Sequence, residues 1–367
     1  MDISSKKIAI VHDWLTNMGG AENVVEVLHD MFPDAPIYTS MCIKENISLK
    51  LQTADIRASF LQKKVKGHKV NHQKYLPWMP AAFESFDLNE YDLVISSSSC
   101  CAKGVITAPH TVHVCYCYTP TRYLWQHFYE YTKDMNPIKK HILLYYMNYL
   151  RIWDYSAAQR VDHFIAISNH VASRIKKYYR RDAEVIYPPV KTEYFTPGDK
   201  DGDFFLVVSR LVGYKRIDIA VEAFNKLNLP LIIIGEGPEQ TKLKSLAKSN
   251  VLFLGRQSDE VVRDYMRKCK AMIFPGEEDF GITPVEMQAC GRSVIAYGKG
   301  GSLETVIDKE TGLFFQEQTA ESLVNIIEIF HKKKFSIEVS RIHAASYSDL
   351  IFKQSIKSFF QSIKIYV

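Results

Sequence analysis

The sequence of 367 residues lacks several features that would place it in a simple class. No uncharged apolar run is long enough to span a membrane. The seven cysteines are odd in number and form no Cys-x-x-Cys pair, which argues against a disulfide or zinc framework. The first apolar run is interrupted by His12 and Asp13, so we do not expect a signal peptide. These absences predict a cytoplasmic chain with reduced cysteines.

Acidic residues are missing from one whole segment, Ile56–Phe83. Its basic residues are Arg57, Lys63, Lys64, Lys66, Lys69 and Lys74. The segment ends in "KYLPWMPAAF", and basic residues followed by Tyr, Leu, Trp and Met suit the surface of an anionic membrane. A solvated basic loop leading into a core segment is the alternative. Peripheral binding to the inner face of the cytoplasmic membrane is therefore one hypothesis. The net charge of +5 is too small to predict a nucleic-acid partner.

Most of the chain alternates between strand-like and helix-like segments. The length predicts two domains, and 47% hydrophobic with 24% charged residues is ordinary for a globular protein. Short apolar runs bounded by Gly, Pro or Ser are typical of parallel strands that are covered on both faces. The predicted strands lie at 7–11, 92–99, 112–118, 163–168, 203–209, 229–235, 250–255, 271–276 and 292–298. This pattern predicts an α/β protein with two Rossmann-like, doubly wound domains.

The domain boundary is predicted in "YPPVKTEYFTPGDKDGD", residues 187–203, because Pro, Gly and Asp are concentrated there. We predict domains at 1–190 and 191–345, followed by an amphipathic helix at about 346–367. Ligands of open α/β sheets bind at the carboxyl ends of the strands, so two facing domains would form a cleft there.

The stretch "EDFGITPVE", residues 278–286, follows a predicted strand and begins a predicted helix. Thr283, Pro284 and Glu286 fit a capping box with Thr as the N-cap, which would give Glu286 a structural role. The amides of Gly281 and Ile282 would form an anion site at the helix N-terminus. Glu278 has no comparable local role, and its structural alternative is a solvated loop acid.

Three further loops are consistent with a site for phosphate groups. Arg210 and Lys215 lie in a strand-to-helix loop, where both cations can bind one diphosphate. Gly19 and Gly20 precede a helix and permit close approach of phosphate to the backbone. Gly235 lies in a tight turn that could adjoin a nucleotide base. Each loop alone also fits surface charge or a simple turn, whereas together they predict a site for a nucleotide diphosphate.

These motifs resemble the retaining glycosyltransferases of family 4, which have the GT-B fold. "EDFGITPVE" resembles their E-x7-E signature, "SRLVGYKR" their Arg and Lys pair, and "GGAENVV" their N-terminal glycine loop. "VIYPPV", "GEGPE", "LGRQSDE" and "GKGGSLETVIDKETGLFF" extend the resemblance over nearly the whole chain. The N-terminal part is most similar to bacterial mannosyltransferases of O-antigen and capsule assembly.

The resemblance implies roles for the matching residues. Arg210 and Lys215 would stabilise the departing nucleotide diphosphate. Glu278 would contact the transferred sugar, and Glu286 the ribose hydroxyls. The remaining donor-binding residues would be Gly19, Gly20, Gly235, Arg256, Gly281 and Ile282. The terminal helix would pack back on the N-terminal domain.

The chain departs from the family at one position. Many relatives have "YCHTP" where this sequence has "YCYTP", so Tyr118 replaces a histidine that contacts the sugar or supports the leaving group. A tyrosine keeps a hydroxyl but does not become cationic near neutral pH. Tyr118 is retained as a catalytic candidate, with a core aromatic as its alternative. His113 and Arg122 are candidates for the acceptor side.

The predicted function is transfer of mannose from GDP-mannose to a lipid-linked or growing saccharide, with no metal or cofactor. A hydrolase with the two glutamates as its acid and base is not favoured, because the anion-binding features would then lack a purpose. Two alternatives stay open at this point. A sugar-nucleotide epimerase would share the architecture. A non-catalytic sugar-nucleotide-binding partner would bind the donor without turnover.

Overall fold

A computed structural model describes residues 6–68, 70–126, 136–198 and 202–364 of the chain. Lys69 of the basic segment, part of the predicted linker and the last three residues lie outside these ranges. The chain forms two compact units, Met1–Tyr187 with Lys353–Val367 and Pro188–Phe352. Each unit contains one parallel sheet, so the predicted α/β class with two Rossmann-like sheets is confirmed.

The first unit is built on a seven-stranded sheet with the order β3-β2-β1-β4-β5-β6-β7. Its strands are β1 (Ile8–His12), β2 (Ile37–Thr39), β3 (Ile56–Ala58), β4 (Leu93–Ser98), β5 (Val112–Cys117), β6 (His163–Ala166) and β7 (Ala183–Val185). Its helices are α1 (Gly20–Met31), α2 (Leu49–Gln52), α3 (Met79–Glu84), α4 (Arg122–Trp125), α5 (Pro137–Gln159) and α6 (Asn169–Tyr179). The central strands are buried apolar runs because helices cover both faces of the sheet.

The second unit has a six-stranded sheet with the order β10-β9-β8-β11-β12-β13. Its strands are β8 (Phe205–Val208), β9 (Leu231–Ile234), β10 (Val251–Gly255), β11 (Ala271–Phe274), β12 (Ser293–Tyr297) and β13 (Gly312–Phe315). Its helices are α7 (Ile217–Leu227), α8 (Gln240–Leu246), α9 (Asp259–Lys268), α10 (Ile282–Ala289), α11 (Ser302–Thr305), α12 (Ala320–Phe330) and α13 (Ile337–Ala345). Phe205, Phe224 and Phe315 are buried in its core.

The last helix, α14 (Asp349–Ser362), carries the chain from the second unit back into the first at Lys353. Its apolar side packs on the end of α1, where the rings of Phe360 and Phe32 lie 6.1 Å apart. Lys353 Nζ lies 3.6 Å from a carboxylate oxygen of Asp30 beside this contact.

Strand order reverses once in each sheet, between β1 and β4 in the first and between β8 and β11 in the second. All pairings of the named strands are parallel, so the loops that follow these strands leave the same edge of their sheet. The crevice at such a reversal is where open α/β sheets bind ligands. The loops after three of these strands, β1, β8 and β11, contain Gly19, Arg210, Lys215 and Glu278, which the sequence singled out.

Candidate functional site

In the second unit, the loops after β8 and β11 meet through one ion pair. Lys215 ends a single 3-10 turn, Gly213–Lys215, just before α7. Its ammonium group contacts the carboxylate of Glu278, which follows β11. The two side chains are only 19% and 10% exposed, so the pair is largely shielded from water. Glu278 is therefore not the solvated loop acid considered as its alternative.

Helix α10 begins differently from the predicted capping box. Its N-cap is Gly281, with φ 94°, and no side chain caps the helix. A left-handed φ favours glycine, which explains the residue at this position. Thr283 and Pro284 lie inside the first turn, and Glu286 lies too far along the helix to complete a box. The predicted capping box is therefore wrong, because glycine ends the preceding loop two residues before Thr283.

Without a capping side chain, the first amides of α10 depend on loop backbone, water or a ligand for hydrogen-bond acceptors. Gly281 and Ile282 supply two of these amides, and the helix dipole adds partial positive charge there. The N-cap of α10, Gly281, thus lies three residues after Glu278. This helix N-terminus favours binding of an anion.

Glu286 lies on the first half of α10 and is partly buried. Burial raises the pKa of its carboxyl to about 7, the Asp259 carboxylate adds to the increase, and the Lys191 cation opposes it. Its side chain forms no hydrogen bond or ion pair with any residue that the structure describes. A partly desolvated carboxyl without a protein partner is a good acceptor for ligand hydroxyls.

Arg210 follows β8 and is exposed. Within the described ranges, its guanidinium forms no hydrogen bond or ion pair. It therefore remains available to a ligand at the same sheet edge as Lys215.

A third loop, which the sequence analysis used only for family resemblance, supports the acidic segment. The Gly301 amide donates to the carbonyl of Glu278 over 2.7 Å, and Glu278 forms a parallel bridge with Gly300. Phe280 is buried, and its ring packs edge-on against Tyr347 at 5.5 Å. The backbone of the E-x7-E segment is therefore held from both sides. The double glycine of "GKGGS" is the sequence signal that could have identified this contact.

Gly235 and Arg256 lie at the neighbouring strand ends, after β9 and β10. The Gly235 amide donates to the carbonyl of Gly255 over 2.8 Å, and φ of Gly235 is 138°. Arg256 is exposed, and its amide donates to the Glu236 carboxylate over 3.4 Å. These contacts place both predicted residues at the same edge as Arg210, further from the strand-order reversal.

In the first unit, the glycine loop leads directly into α1. Gly19 is the N-cap of α1 in extended backbone, and Gly20 is its first residue and is exposed. A Cβ atom on Gly19 would lie 3.0 Å from a carboxylate oxygen of Glu22, so the Glu22 side chain crowds this position. The approach of a phosphate group to this loop stays a prediction.

Tyr118 lies immediately after β5 and reaches the same loop. Its hydroxyl donates to the carbonyl of Ala21 over 2.9 Å and lies 2.7 Å from Ser97 Oγ. Burial raises the pKa of Tyr118 well above its ordinary value, so the hydroxyl stays protonated. The Ser97 Oγ atom in turn lies 3.0 Å from His12 Nδ1. Tyr118 is thus neither a simple core aromatic nor an open side chain.

His113 and Arg122 are placed differently from each other. His113 is fully buried in the first half of β5, and its Nε2 lies 2.8 Å from Ser96 Oγ. Burial, with the Arg160 charge, lowers the pKa of His113 to about 3, so the ring is neutral. Its predicted contact with the acceptor is not supported, because the ring is fully buried in the first unit. Arg122 begins the short helix α4 and is partly buried, and its acceptor role stays a prediction.

Asp13 is the strongest polar anchor of the first unit, and the sequence analysis did not single it out. Its carboxylate accepts the amides of Ser99, Cys100, Cys101 and Ala102 over 2.6–2.9 Å. These bonds tie the loop after β1 to the loop after β4. The sequence signal for this contact was an acid directly after β1 and a run of small residues directly after β4, which is the neighbouring strand in the sheet.

The second unit therefore offers cations, helix amides and two acids at one sheet edge, an arrangement suited to an anionic ligand that carries hydroxyl groups. Among the described residues, no group of three or more His, Cys, Asp or Glu side chains is arranged to hold a metal ion. The predicted metal independence stays a prediction.

Comparison with known families matches both units. Residues 18–194 match the sequence model of Glycosyltransferase Family 4. Residues 192–347 match that of Glycosyl transferases group 1.

Among individual proteins, an uncharacterized glycosyltransferase of Methanocaldococcus jannaschii is 30% identical over 48% of this chain and 52% of its own length. The O-antigen chain mannosyltransferase C of Escherichia coli is 30% identical over 48% of this chain and 53% of its own. The chain thus spans about half the length of these relatives. The structure of Anabaena HepE in complex with UDP-glucose covers 97% of this chain and 100% of its own, with a TM-score of 0.69 and 17% identity.

Proposed function

Because this chain belongs to the glycosyltransferases of group 1 and family 4, we propose that it transfers a sugar from a nucleotide diphosphate donor to an acceptor hydroxyl, with retention of configuration. The observation that carries the proposal is the Lys215–Glu278 pair beside the N-terminus of α10. The pair and this N-terminus together place a cation, an acid and helix amides where the strand order of the second sheet reverses. The full-length similarity to Anabaena HepE supports the GT-B fold.

In this reaction Lys215 and Arg210 bind the diphosphate. Negative charge develops on the leaving nucleotide as the glycosidic bond breaks, and the two cations stabilise it in the transition state. Lys215 is already held in place by Glu278 before the donor arrives. Arg210 is exposed and adds a second charge without first breaking a protein contact.

The two acids serve different hydroxyl groups. Glu278 is held near Lys215 and accepts hydrogen bonds from the transferred sugar, while the amides of Gly281 and Ile282 bind adjacent oxygens. Glu286 lies further along α10 and accepts from the ribose. Its unpaired carboxyl supports this role, since a capping function is excluded by the start of the helix at Ile282.

Mannose from GDP-mannose is the proposed donor. The similarity to the mannosyltransferase of E. coli O-antigen supports it. The solved HepE complex contains UDP-glucose, which supports the donor class and makes a uridine donor the competing identity. The acceptor is a lipid-linked or growing saccharide of a surface polysaccharide.

An epimerase is not favoured, because both matched families are glycosyltransferases. A hydrolase would need its two acids to act on one glycosidic bond. Here Glu278 is paired with Lys215, and the segment between the two acids contains a helix N-terminus that favours an anion. The cations and helix amides would have no role in such a reaction.

A lipid-linked acceptor would bring the enzyme to a membrane surface. Lys63, Lys64 and Lys66 are exposed, and so are Phe60 at 47% and Trp78 at 55%. Cations next to exposed aromatic side chains are typical of interfacial binding to anionic lipids. No helix in the described part of the chain is long and apolar enough to cross a membrane. Peripheral binding through this basic surface is part of the proposal.

The proposal is tested by the melting temperature of the protein with a panel of GDP- and UDP-sugars, with EDTA present throughout. Mass action predicts a stabilisation of about 2.7 kcal/mol at a ligand concentration of 100 Kd. A shift with GDP-mannose and GDP supports the mannosyl donor, and a shift with a UDP-sugar replaces it while keeping the reaction. No shift with any nucleotide sugar would contradict the proposed function.

A further inference from the structure

The polar residues behind the glycine loop of the first unit form a continuous chain of contacts. Tyr118 Oη contacts the Ala21 carbonyl and Ser97 Oγ, and Ser97 Oγ contacts His12 Nδ1. His12 Nε2 lies 3.9 Å from a carboxylate oxygen of Glu22, which is too long for a hydrogen bond, so Glu22 is a neighbour of the chain and lies against Gly19. The hydrogen-bonded chain runs from His12 to the first turn of α1.

The direction of each hydrogen bond follows from groups that can only accept. The carbonyl of Ala21 has no proton, so the single hydroxyl proton of Tyr118 is donated to it. Ser97 must then donate its own proton to Tyr118 Oη. His12 Nδ1 lies 3.1 Å from the Ser97 carbonyl and 3.0 Å from Ser97 Oγ, so Nδ1 carries a proton and donates to Ser97.

These directions determine what Tyr118 can offer to a substrate. Its only proton is committed to the backbone of α1, and it already accepts from Ser97. A direct proton transfer from Tyr118 to a leaving group would first break the bond to Ala21 and leave that carbonyl with one partner fewer. The hydroxyl is therefore well placed to hold the loop and poorly placed to act on a reacting atom.

Burial also favours a structural role for the Tyr118 hydroxyl and its partners. His12 and Glu22 are only 2% and 5% exposed, and Ser97 is fully buried. The network joins the ends of β1, β4 and β5 to the start of α1, at the point where the strand order of this sheet reverses. From His12 Nδ1 to the Ala21 carbonyl each donor has an acceptor, and buried networks with that property fix a single local structure.

We propose that Tyr118, Ser97 and His12 form a positioning network that fixes the backbone of Gly19–Ala21, and that Tyr118 acts through the Ala21 carbonyl and not on the substrate. The kinetic part of this inference depends on the proposed function and on the predicted approach of donor phosphate to the Gly19–Gly20 loop. The structural part does not.

The test compares two tyrosines of one strand region. Tyr118→Phe removes the hydroxyl of the network. Tyr116→Phe is the matched control, because the Tyr116 hydroxyl also donates to a backbone carbonyl, that of Ile186 at 3.0 Å, away from α1. Amide hydrogen exchange is measured on the free proteins. Exchange across residues 19–26 is expected to be about tenfold faster in Tyr118→Phe and unchanged in Tyr116→Phe.

Unchanged exchange at 19–26 in Tyr118→Phe would overturn the network. Ser97→Ala serves if Tyr118→Phe does not fold, because it removes one link and keeps the bond from Tyr118 to Ala21, so a smaller increase at the same residues is expected. Combining Ser97→Ala with Tyr118→Phe should give less than the sum of the two single effects, since neighbours in one network are coupled. Fully additive effects would count against coupling through Ser97.

Kinetics with GDP-mannose separate positioning from catalysis. Tyr118→Phe is expected to raise KM about tenfold and to change kcat less than about threefold, as loss of ground-state binding does. A large fall in kcat at unchanged KM would instead assign Tyr118 to the chemical step and overturn the proposal. If the wild-type protein neither binds nor uses any nucleotide sugar, the proposed function fails, while hydrogen exchange still decides on the network.

Discussion

The two sheets of this protein use their points of strand-order reversal in different ways. In the second unit, Arg210 and Glu286 leave charged or polar groups without protein partners among the described residues. In the first unit, Asp13 and Tyr118 use their polar atoms on the backbone of neighbouring loops. The same topology thus carries polar groups without protein partners in the second sheet. In the first sheet it carries polar groups that are hydrogen-bonded to the backbone.

The difference teaches how to separate ligand groups from structural groups in such sheets. A side chain that binds ligand at a sheet edge retains unused hydrogen-bonding capacity, often with some cost to stability. A structural side chain at the same kind of edge is saturated by backbone amides and carbonyls. Variants of the first kind should reduce activity more than stability, and variants of the second kind should do the reverse.

The largest effect is expected from Lys215→Ala in the second unit. Loss of the cation that stabilises the leaving diphosphate should lower turnover about 10²- to 10³-fold. The melting temperature should also fall, because the largely shielded Glu278 carboxylate loses its partner, so turnover is compared on folded protein well below the melting transition. Lys226→Ala is the matched control, because it removes a lysine paired with Glu321 on the outer side of the same unit. Normal turnover in Lys215→Ala would contradict the assigned role.

The saturated edge is tested by Asp13→Asn. Asparagine places an NH₂ group against amides that now donate to carboxylate oxygens, so the free energy of unfolding should fall by about 2–4 kcal/mol. Asp87→Asn, in an exposed turn that receives one amide from Asn89, should change it by less than about 1 kcal/mol. Urea denaturation measures both. Equal and small effects would show that the amides around Asp13 do not depend on its charge.

Glu286→Gln should affect binding and stability in opposite directions. The pKa of this carboxyl is raised from 4.5 to about 7 by burial. Between these two pH values the native protein therefore holds a proton that the unfolded chain has lost. Stability contributed by that proton is present below about pH 4.5 and is lost as pH rises to about 7. Glutamine avoids this loss and should stabilise the protein by about 1–3 kcal/mol at pH 8, with little effect at pH 4.

At pH 8, Glu286→Gln should also weaken GDP binding at least about tenfold, as expected for loss of hydrogen bonds to a charged acceptor. Calorimetric titration and thermal melts at the two pH values check both parts. Unchanged affinity together with unchanged stability would remove Glu286 from the site.

The smallest expected effect concerns the basic surface of the first unit. Reversing charge at Lys63, Lys64 and Lys66 should weaken binding to phosphatidylserine-containing vesicles at least about tenfold. Reversing Lys332, Lys333 and Lys334, which are also exposed, changes the net charge equally and should have little effect. Equal loss in both variants would indicate attraction by net charge only. Unchanged sedimentation in the first variant would remove the membrane surface from the proposal.

Strands that lie within a longer apolar run bounded by glycine, proline or serine, and the loops after them, could be predicted from the sequence. β4, β5, β8 and β11 all lie within predicted segments. The short strands β2, β3, β7 and β13 were missed, because three or four residues without a long apolar run give no distinct pattern.

The candidate site was predictable only in part. Lys215 and Glu278 were singled out separately, but their contact depends on which strands are neighbours, which no local pattern contains. The capping box around Glu286 fitted the local pattern and is wrong, because the left-handed backbone at Gly281 ends the loop earlier. Tyr118 was identified by its departure from the family. Its partners Ser97 and His12 come from distant strands and could not be inferred from spacing.

The central claim is that nucleotide sugar binds where the strand order of the second sheet reverses. Hydrogen exchange of the whole protein, with and without saturating GDP-mannose or UDP-glucose, tests it most directly. The account predicts slower exchange at residues 209–216 and 278–288 with at least one of these ligands. Ligand binding that protects other segments and leaves both of these unchanged would contradict it.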